Sequence, residues 1–349
     1  MIIGRLYIDQ KSVVPKVVIG VVIALLAIVP LFTTSMVTLS TLISSGIWAV
    51  AVMGFILILR TGQFSMGQAA FMAIGGYVSA ILTLNLGLSY YWLSFLASGV
   101  ISGLIAFAIG LIVLRAGGTS FSIITIAFGE IVRIVALNWE DLTHGAAGIL
   151  VKPPPPINIG NFEINFSLSL VPFYYFMILL VAASALFYWQ IDRIRIGGTF
   201  RSVAANPVLA EHLGVHLMKY RVIAFTIAGV FTGFAGAYYV TFISVINPLI
   251  FDLWKSIQIM MMAIVGGPSL IVGGAIIGST VLYSLGNYLS QLPIPNVQYV
   301  VFGAVVVLVL LFLPKGTGLV DLWGKFWRKV FREPEEYEIP GEFADDEEE

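Results

Sequence analysis

Apolar runs close to the thickness of a lipid bilayer constrain this chain more than any other feature. A spanning helix needs about 20 such residues. Ten apolar segments can be drawn, at 17–32, 36–59, 66–86, 90–114, 119–137, 170–191, 221–244, 256–267, 270–290 and 297–313. The mean hydropathy is +0.98, and only 11% of the 349 residues are charged, too few to cover a soluble surface of that size. The expectation is an all-α integral membrane protein, a polytopic helical bundle of about ten transmembrane segments. The first run follows Lys11 and Lys16 as a signal peptide does, but lacks a convincing cleavage site and reads as a retained helix. The eighth, ending in Gly266 and Gly267, is too short to span alone and reads as half a re-entrant hairpin or a broken helix.

Charge sets the direction of the spans. Ten of the 19 acidic residues lie between Glu333 and Glu349, so the rest of the chain is strongly basic. With the N-terminus inside, 15 of the 18 Lys and Arg residues, among them Lys11, Arg60, Arg115, Arg201 and Lys325, fall on cytoplasmic connections. Only Lys152 and Lys255 fall outside, and Arg133 lies within a span. That asymmetry predicts cytoplasmic termini and an even number of crossings. The layout is a cytoplasmic segment 1–16, a transmembrane domain 17–314, and a tail 315–349 that is basic and then acidic. Within the domain lie an external loop at 138–169, with four prolines at Pro153–Pro156, and a cytoplasmic connection at 190–221.

MAIGG (72–76) and MAIVGG (262–267) sit five spans apart and read as the trace of two inverted five-helix repeats. Chance matching in a Gly- and Ala-rich chain is the competing reading. Small-residue pairs at Gly99/Gly103, Gly229/Gly233 and Gly274/Gly278 let helices approach closely in lipid.

Three polar features interrupt the apolar pattern. Arg60 to Gln68 separates two spans with no real loop, and its Gln63, Ser65 and Gln68 need hydration or partners. A broken helix beside a substrate path and a simple turn both account for it. Glu130 and Arg133 lie three apart on one face of the fifth span. A lone charge at a helix centre costs about 2.5–3.5 kcal/mol on insertion scales, so the two are expected to pair. A functional role and an ion pair locking helices near the membrane edge both account for them. A proton relay is the weaker reading, because no other acid, base or histidine lies well inside the spans. The connection 190–221 contains Asn206 as a cap, Pro207 at the first helical position and Gly214 to end the turn. It predicts a short helix outside the bilayer, carrying Glu211 and suited to docking on another protein or to lying on the surface.

Several functions find no support. The chain has no cysteine, and His212 and His216 lack a carboxylate-rich partner segment, so no metal site is expected. No P-loop, G-x-S-x-G elbow or H-E-x-x-H pair occurs, so the chain carries no ATP-binding motif and is not expected to be an enzyme.

GQFSMGQAAFMAIGGY (62–77), ITIAFGEIVRIVALNW (124–139), LTHGAAGI (142–149), AEHLGVHLMKYRVIAF (210–225), GFAGAYYV (233–240) and AIVGGPSLIVGGAIIGS (263–279) follow in that order. In them the chain resembles the LivM-like permeases of branched-chain amino-acid ABC transporters, over about residues 45–318. The resemblance implies an inner-membrane subunit that forms a translocation path. It also implies a second related permease chain, two ATP-binding subunits that hold the ATP, and an external solute-binding protein. No nucleic acid is implied. Asn206, Pro207, Glu211 and Gly214 would be the element that seats on the ATPase. The chain departs from the pattern at Ser202–Pro207, which is poorer in charge, at His144 where Gly is common, and at Arg60. Similar permeases serve urea, amides and aromatic acids, and an ion-coupled secondary transporter is the more distant rival.

Overall fold

Helices in this chain stop where glycine, proline or a polar run interrupts the apolar pattern. The computed structural model describes Pro30 and residues 35–159, 162–293 and 297–312. The expected first span at 17–32, the segment 1–16 and the tail 315–349 fall outside the described residues, apart from Pro30. The helices are α1 (Met36–Leu59), α2 (Gln68–Leu86), α3 (Tyr91–Val113), α4 (Gly118–Asn138), α5 (Glu140–Thr143) and α6 (Val171–Arg193). They continue with α7 (Arg195–Ala205), α8 (Pro207–His212), α9 (Leu217–Ile243), α10 (Leu253–Gly266), α11 (Ile271–Leu289) and α12 (Val297–Phe312). Among the described residues, α1, α2, α3, α4, α6 and α9 are each long and apolar enough to cross a membrane. The pair α10 and α11 meets at a bend of 114°, and α12 is a shorter apolar helix.

The bundle is arranged around α1 and α9. Within its most apolar stretch, 83% of α1 is buried against the rest of the chain, whereas for α4 the figure is 17%. The central helix is therefore shielded from lipid, and α4 offers most of its surface, including Ile123, Ile131 and Val135, to whatever surrounds the chain. Helix α9 packs on α3, α2 and α1, and α1 packs on α9, α11 and α6. The glycines seen in the sequence lie at these crossings. A methyl at Gly229 would fall 2.4 Å from Ala106 Cβ, and one at Gly103 would fall 2.3 Å from Val230. Gly274 and Gly278 face α10 in the same way. Each pair serves packing within the chain.

Two small antiparallel pairs tie the connections. β1 (Ile149–Leu150) pairs with β4 (Val245–Ile246), joining the stretch after α4 to the stretch after α9. β2 (Ile157–Ile159) pairs with β3 (Phe162–Ile164) beyond the four prolines. His144, with φ of 59°, ends α5 in the left-handed region, a conformation that glycine adopts without strain.

Candidate functional site

The stretch between α1 and α2 is a buried, non-helical break. Thr61, Gln63, Ser65 and Gln68 are all at most 2% exposed, while Gly62 between them is exposed. Breaking a helix frees backbone groups that hydrocarbon cannot satisfy. Hydroxyls from three other helices supply several of the partners. Ser122 Oγ of α4 donates to the Phe64 carbonyl at 2.6 Å, and the Met66 N–H donates to Thr125 Oγ1 at 3.0 Å. The Ala69 N–H donates to Ser256 Oγ of α10 at 3.0 Å, and Thr232 Oγ1 of α9 donates to Gln68 Oε1 at 3.0 Å. Gln63 Oε1 and Gln68 Nε2 are buried without a partner among the described residues.

The break faces a small cavity of about 170 Å³ lined by Met66, Ala69, Ile126, Glu130, Asp252 and Ser256, among others. Arg133 Nε lies 3.0 Å from both carboxylate oxygens of Glu130, and Nη2 also reaches Oε1. Among the described residues the pair closes within α4 and bonds to no second helix. Glu130 borders the cavity rather than the outer edge of a packed helix pair.

Gly266 and Gly267 do not reach this cavity. They form the bend between α10 and α11, where Gly267 has φ of 100° and a methyl at Gly266 would fall 1.9 Å from the Gly274 carbonyl oxygen. The bend instead meets Arg60. The Arg60 guanidinium donates to the Ser269 carbonyl and, at 3.4 Å, to the Pro268 carbonyl. It also pairs with Asp192 at the end of α6, whose same oxygen takes Arg201 of α7 at 2.6 Å. A methyl at Gly62 would lie 3.3 Å from Ala204 Cα, so the first turn of the break rests on the end of α7. One cluster thus joins the break, the α10–α11 bend and the connection that carries α8.

In that connection the Asn206 side chain accepts from the Leu209 N–H at 3.0 Å and Pro207 opens the helix. Gly214, with φ of 83°, ends it, and the Val215 N–H returns to the Ala210 carbonyl at 3.0 Å. Ala210 is buried while Val208, Leu209 and Leu213 are exposed, and Glu211 is exposed beside them. Helix α7 escaped the sequence reading because paired glycines, Gly197 and Gly198, sit in its first turn. Its partners Asp192 and Arg201 were visible as charges, but nothing in their spacing points to Arg60. Ser122, Thr125, Thr232 and Ser256 were missed because a hydroxyl in an apolar helix usually bonds to its own preceding turn.

Long apolar helices around a polar break, with a capped helix exposed on one connection, describe a multi-pass membrane protein. Residues 37–310 match the family described as branched-chain amino acid transport system / permease component. That is well over half of the chain, and the chain belongs to this family of ABC-transporter permeases. It is 28% identical over 280 residues to the high-affinity branched-chain amino acid transport system permease protein LivM of Salmonella typhimurium, covering 73% of this chain and 64% of that protein. It is 27% identical to LivM of Escherichia coli, with the same coverage. The chain therefore spans just under two thirds of the length of these two relatives. The guanosine ABC transporter permease protein NupQ of Bacillus subtilis is 24% identical over 60% of this chain and 68% of its own length. No solved structure matches the chain.

Proposed function

We propose that this chain is a permease subunit through which branched-chain or related amino acids enter the cell, driven by ATP hydrolysis on separate subunits. The observation that carries the reading is the Arg60 cluster. It links an exposed, capped helix to both interruptions of the membrane helices. In this reading α8, through Asn206, Pro207, Glu211 and Gly214, seats on an ATP-binding subunit. Movement of α7 then passes through Asp192 and Arg60 to the break at Gln63, Ser65 and Gln68 and to the bend at Gly266 and Gly267. The uncovered face of α4 suits contact with a second, related permease chain. Two ATP-binding subunits and an external solute-binding protein complete the assembly. Ten segments, both termini in the cytoplasm of an inner-membrane protein, and two inverted five-helix repeats fit the reading. The packing supports the repeats, since α9 lies on α3 and α2 as α1 lies on α11 and α10.

A related solute is the second reading for the substrate. Relatives at 24% identity are named for guanosine and for galactofuranose, so the shared frame accommodates more than one solute class. An ion-coupled secondary transporter is not favoured by the family match.

Purification of the tagged chain from its native membrane, with mass spectrometry of what accompanies it, tests the assembly. ATP-binding subunits and a second permease are expected. Isolation of the chain alone, with solute uptake on an ion gradient after reconstitution, overturns the reading. In the assembled complex, Glu211→Arg and Gly214→Pro should abolish stimulation of ATPase activity by the loaded binding protein while membrane insertion persists. Proline cannot adopt the positive φ of Gly214. Normal stimulation in both variants removes α8 from the coupling role.

A further inference from the structure

A groove of about 500 Å³ opens where α6 ends and α9 begins. Phe187, Ile191 and Ile194 line it along the end of α6, Ile196 from the first turn of α7, and Ile223 and Ile227 from α9. Its shape follows from spacing. Lys219, Ile223, Ile227 and Phe231 recur every fourth residue on α9 and so lie along one face. The rings of Phe187 and Tyr188 meet Phe231 with centres 4.9 and 5.0 Å apart, which closes the inner end. From Lys219 to Ile227 the face runs about 12 Å, at 1.5 Å per residue. Both α6 and α9 are long and apolar enough to cross a membrane.

The other end of the groove is basic. Trp189 and Arg193 line it, and the Arg193 guanidinium stacks 4.0 Å from the centre of the Trp189 ring. Arg195, between the lining residues Ile194 and Ile196, is exposed, and so is Lys219, one turn before Ile223. Neither of these two is in an ion pair among the described residues. The adjoining carboxylate, Asp192, is shared by Arg60 and Arg201. Tryptophan settles at the boundary between hydrocarbon and water, and long basic side chains keep their heads there while their stems lie on apolar surface. An apolar trough on two membrane-crossing helices therefore leads to a cationic rim at headgroup level.

We propose that this groove holds an anionic phospholipid, with one acyl chain in the trough and the phosphate on the basic rim. The inference goes beyond the transport reading and does not depend on which solute the chain carries. A zwitterionic lipid would fill the trough but bring an ammonium group to the rim cations. A free phosphate would match the rim and leave the trough open. An anionic lipid satisfies both ends, and each Lys or Arg near a membrane surface adds attraction for it.

The test uses the assembled transporter in nanodiscs, with a phosphatidylglycerol analogue that carries a photoreactive group on one acyl chain. Cross-links should concentrate on the peptides that hold Phe187, Ile223 and Ile227. Unlabelled phosphatidylglycerol should compete, whereas phosphatidylcholine and glycerol 3-phosphate should not. Each basic residue should be worth about fivefold in labelling, so Arg195→Gln combined with Lys219→Gln should lower it about tenfold or more. Ile223→Trp leaves the charges in place and fills the trough, and should abolish the cross-links at Ile227. Monodisperse elution of both variants checks that they are folded. Equal competition by phosphatidylcholine or by glycerol 3-phosphate overturns the lipid assignment, and wild-type labelling in either variant overturns the site. If the groove labels only after the ATP-binding subunits are stripped away, it is a protein interface and the proposal fails.

Discussion

Helices α2 and α10 carry nearly the same short sequence, MAIGG and MAIVGG, and use it on different neighbours. In α2, a methyl at Gly75 would fall 2.1 Å from the Gly233 carbonyl oxygen, and one at Gly236 would fall 2.0 Å from the Met72 carbonyl oxygen. In α10, the Met262 carbonyl meets Gly278 and Gly266 meets Gly274, each at 1.9 Å by the same measure. A methionine carbonyl and a following glycine thus oppose two glycines of another helix in both places. The partner of α2 is α9, a long helix distant in sequence, whereas the partner of α10 is α11, reached through the bend at Gly267. The first turns of the two helices meet where the Ala69 N–H donates to Ser256 Oγ. The same device holds two long spans together in one half and shapes a hairpin in the other. The hairpin half borders the small cavity and the Arg60 cluster.

The largest effects should come from the crossings themselves. Added volume in a packed core costs about 1–3 kcal/mol and occasionally more, and here the obstruction is backbone on both sides. Gly236→Val should leave little folded protein, read as recovery of monodisperse material in detergent. Gly278→Val should be recovered in larger yield, because the hairpin has a bend in which to relax, yet should lose uptake. Equal recovery of the two variants breaks the comparison. Next in size is Arg60→Gln, which removes the ties to Asp192 and to the carbonyls of Pro268 and Ser269. Uptake by the assembled system should fall about tenfold or more, the scale of losing hydrogen bonds to a charged group, while ATP hydrolysis continues. A fall in both activities in step would place Arg60 in folding rather than in transmission.

A smaller effect distinguishes the α2 side. Gln68→Leu should destabilise the protein by about 1–3 kcal/mol, because it strands the Thr232 hydroxyl in a buried site. Thr232→Val should do the same to Gln68, and the double variant should cost less than the sum of the two. Thermal unfolding midpoints of the four proteins check this. Strict additivity would show that the hydrogen bond contributes nothing to the union of α2 and α9.

The sequence made some of this legible and hid the rest for physical reasons. Nine of the drawn apolar segments coincide with helices to within a few residues, since apolar run length is a local property. The capped helix at α8 was legible because Asn206, Pro207 and Gly214 each act on their own backbone. The break before α2 was legible as polar residues without a loop. What binds it was not, because Ser122, Thr125, Thr232 and Ser256 come from three other helices, and only the fold brings them together. The same holds for Arg60, which reads as an isolated charge until Asp192 and the α10–α11 bend are placed beside it. Lys255 reads as an outer-loop cation, and its place over the Trp48 ring exists only in three dimensions.

The smallest predicted effect concerns Glu130 and Arg133 on the α4 side of the small cavity. Their side chains are 44% and 22% exposed in the isolated chain, and their bond joins no other helix. Removing one partner leaves a single charge on a face that packs against lipid or protein, where unpaired charge is unfavourable. Removing both leaves two neutral amides that can still bond to each other across one turn. Glu130→Gln and Arg133→Gln should therefore each reduce uptake more than the double variant does. A double variant worse than either single would show that one of the two charges acts on its own. The cavity beside Asp252 would then be where to look for its partner.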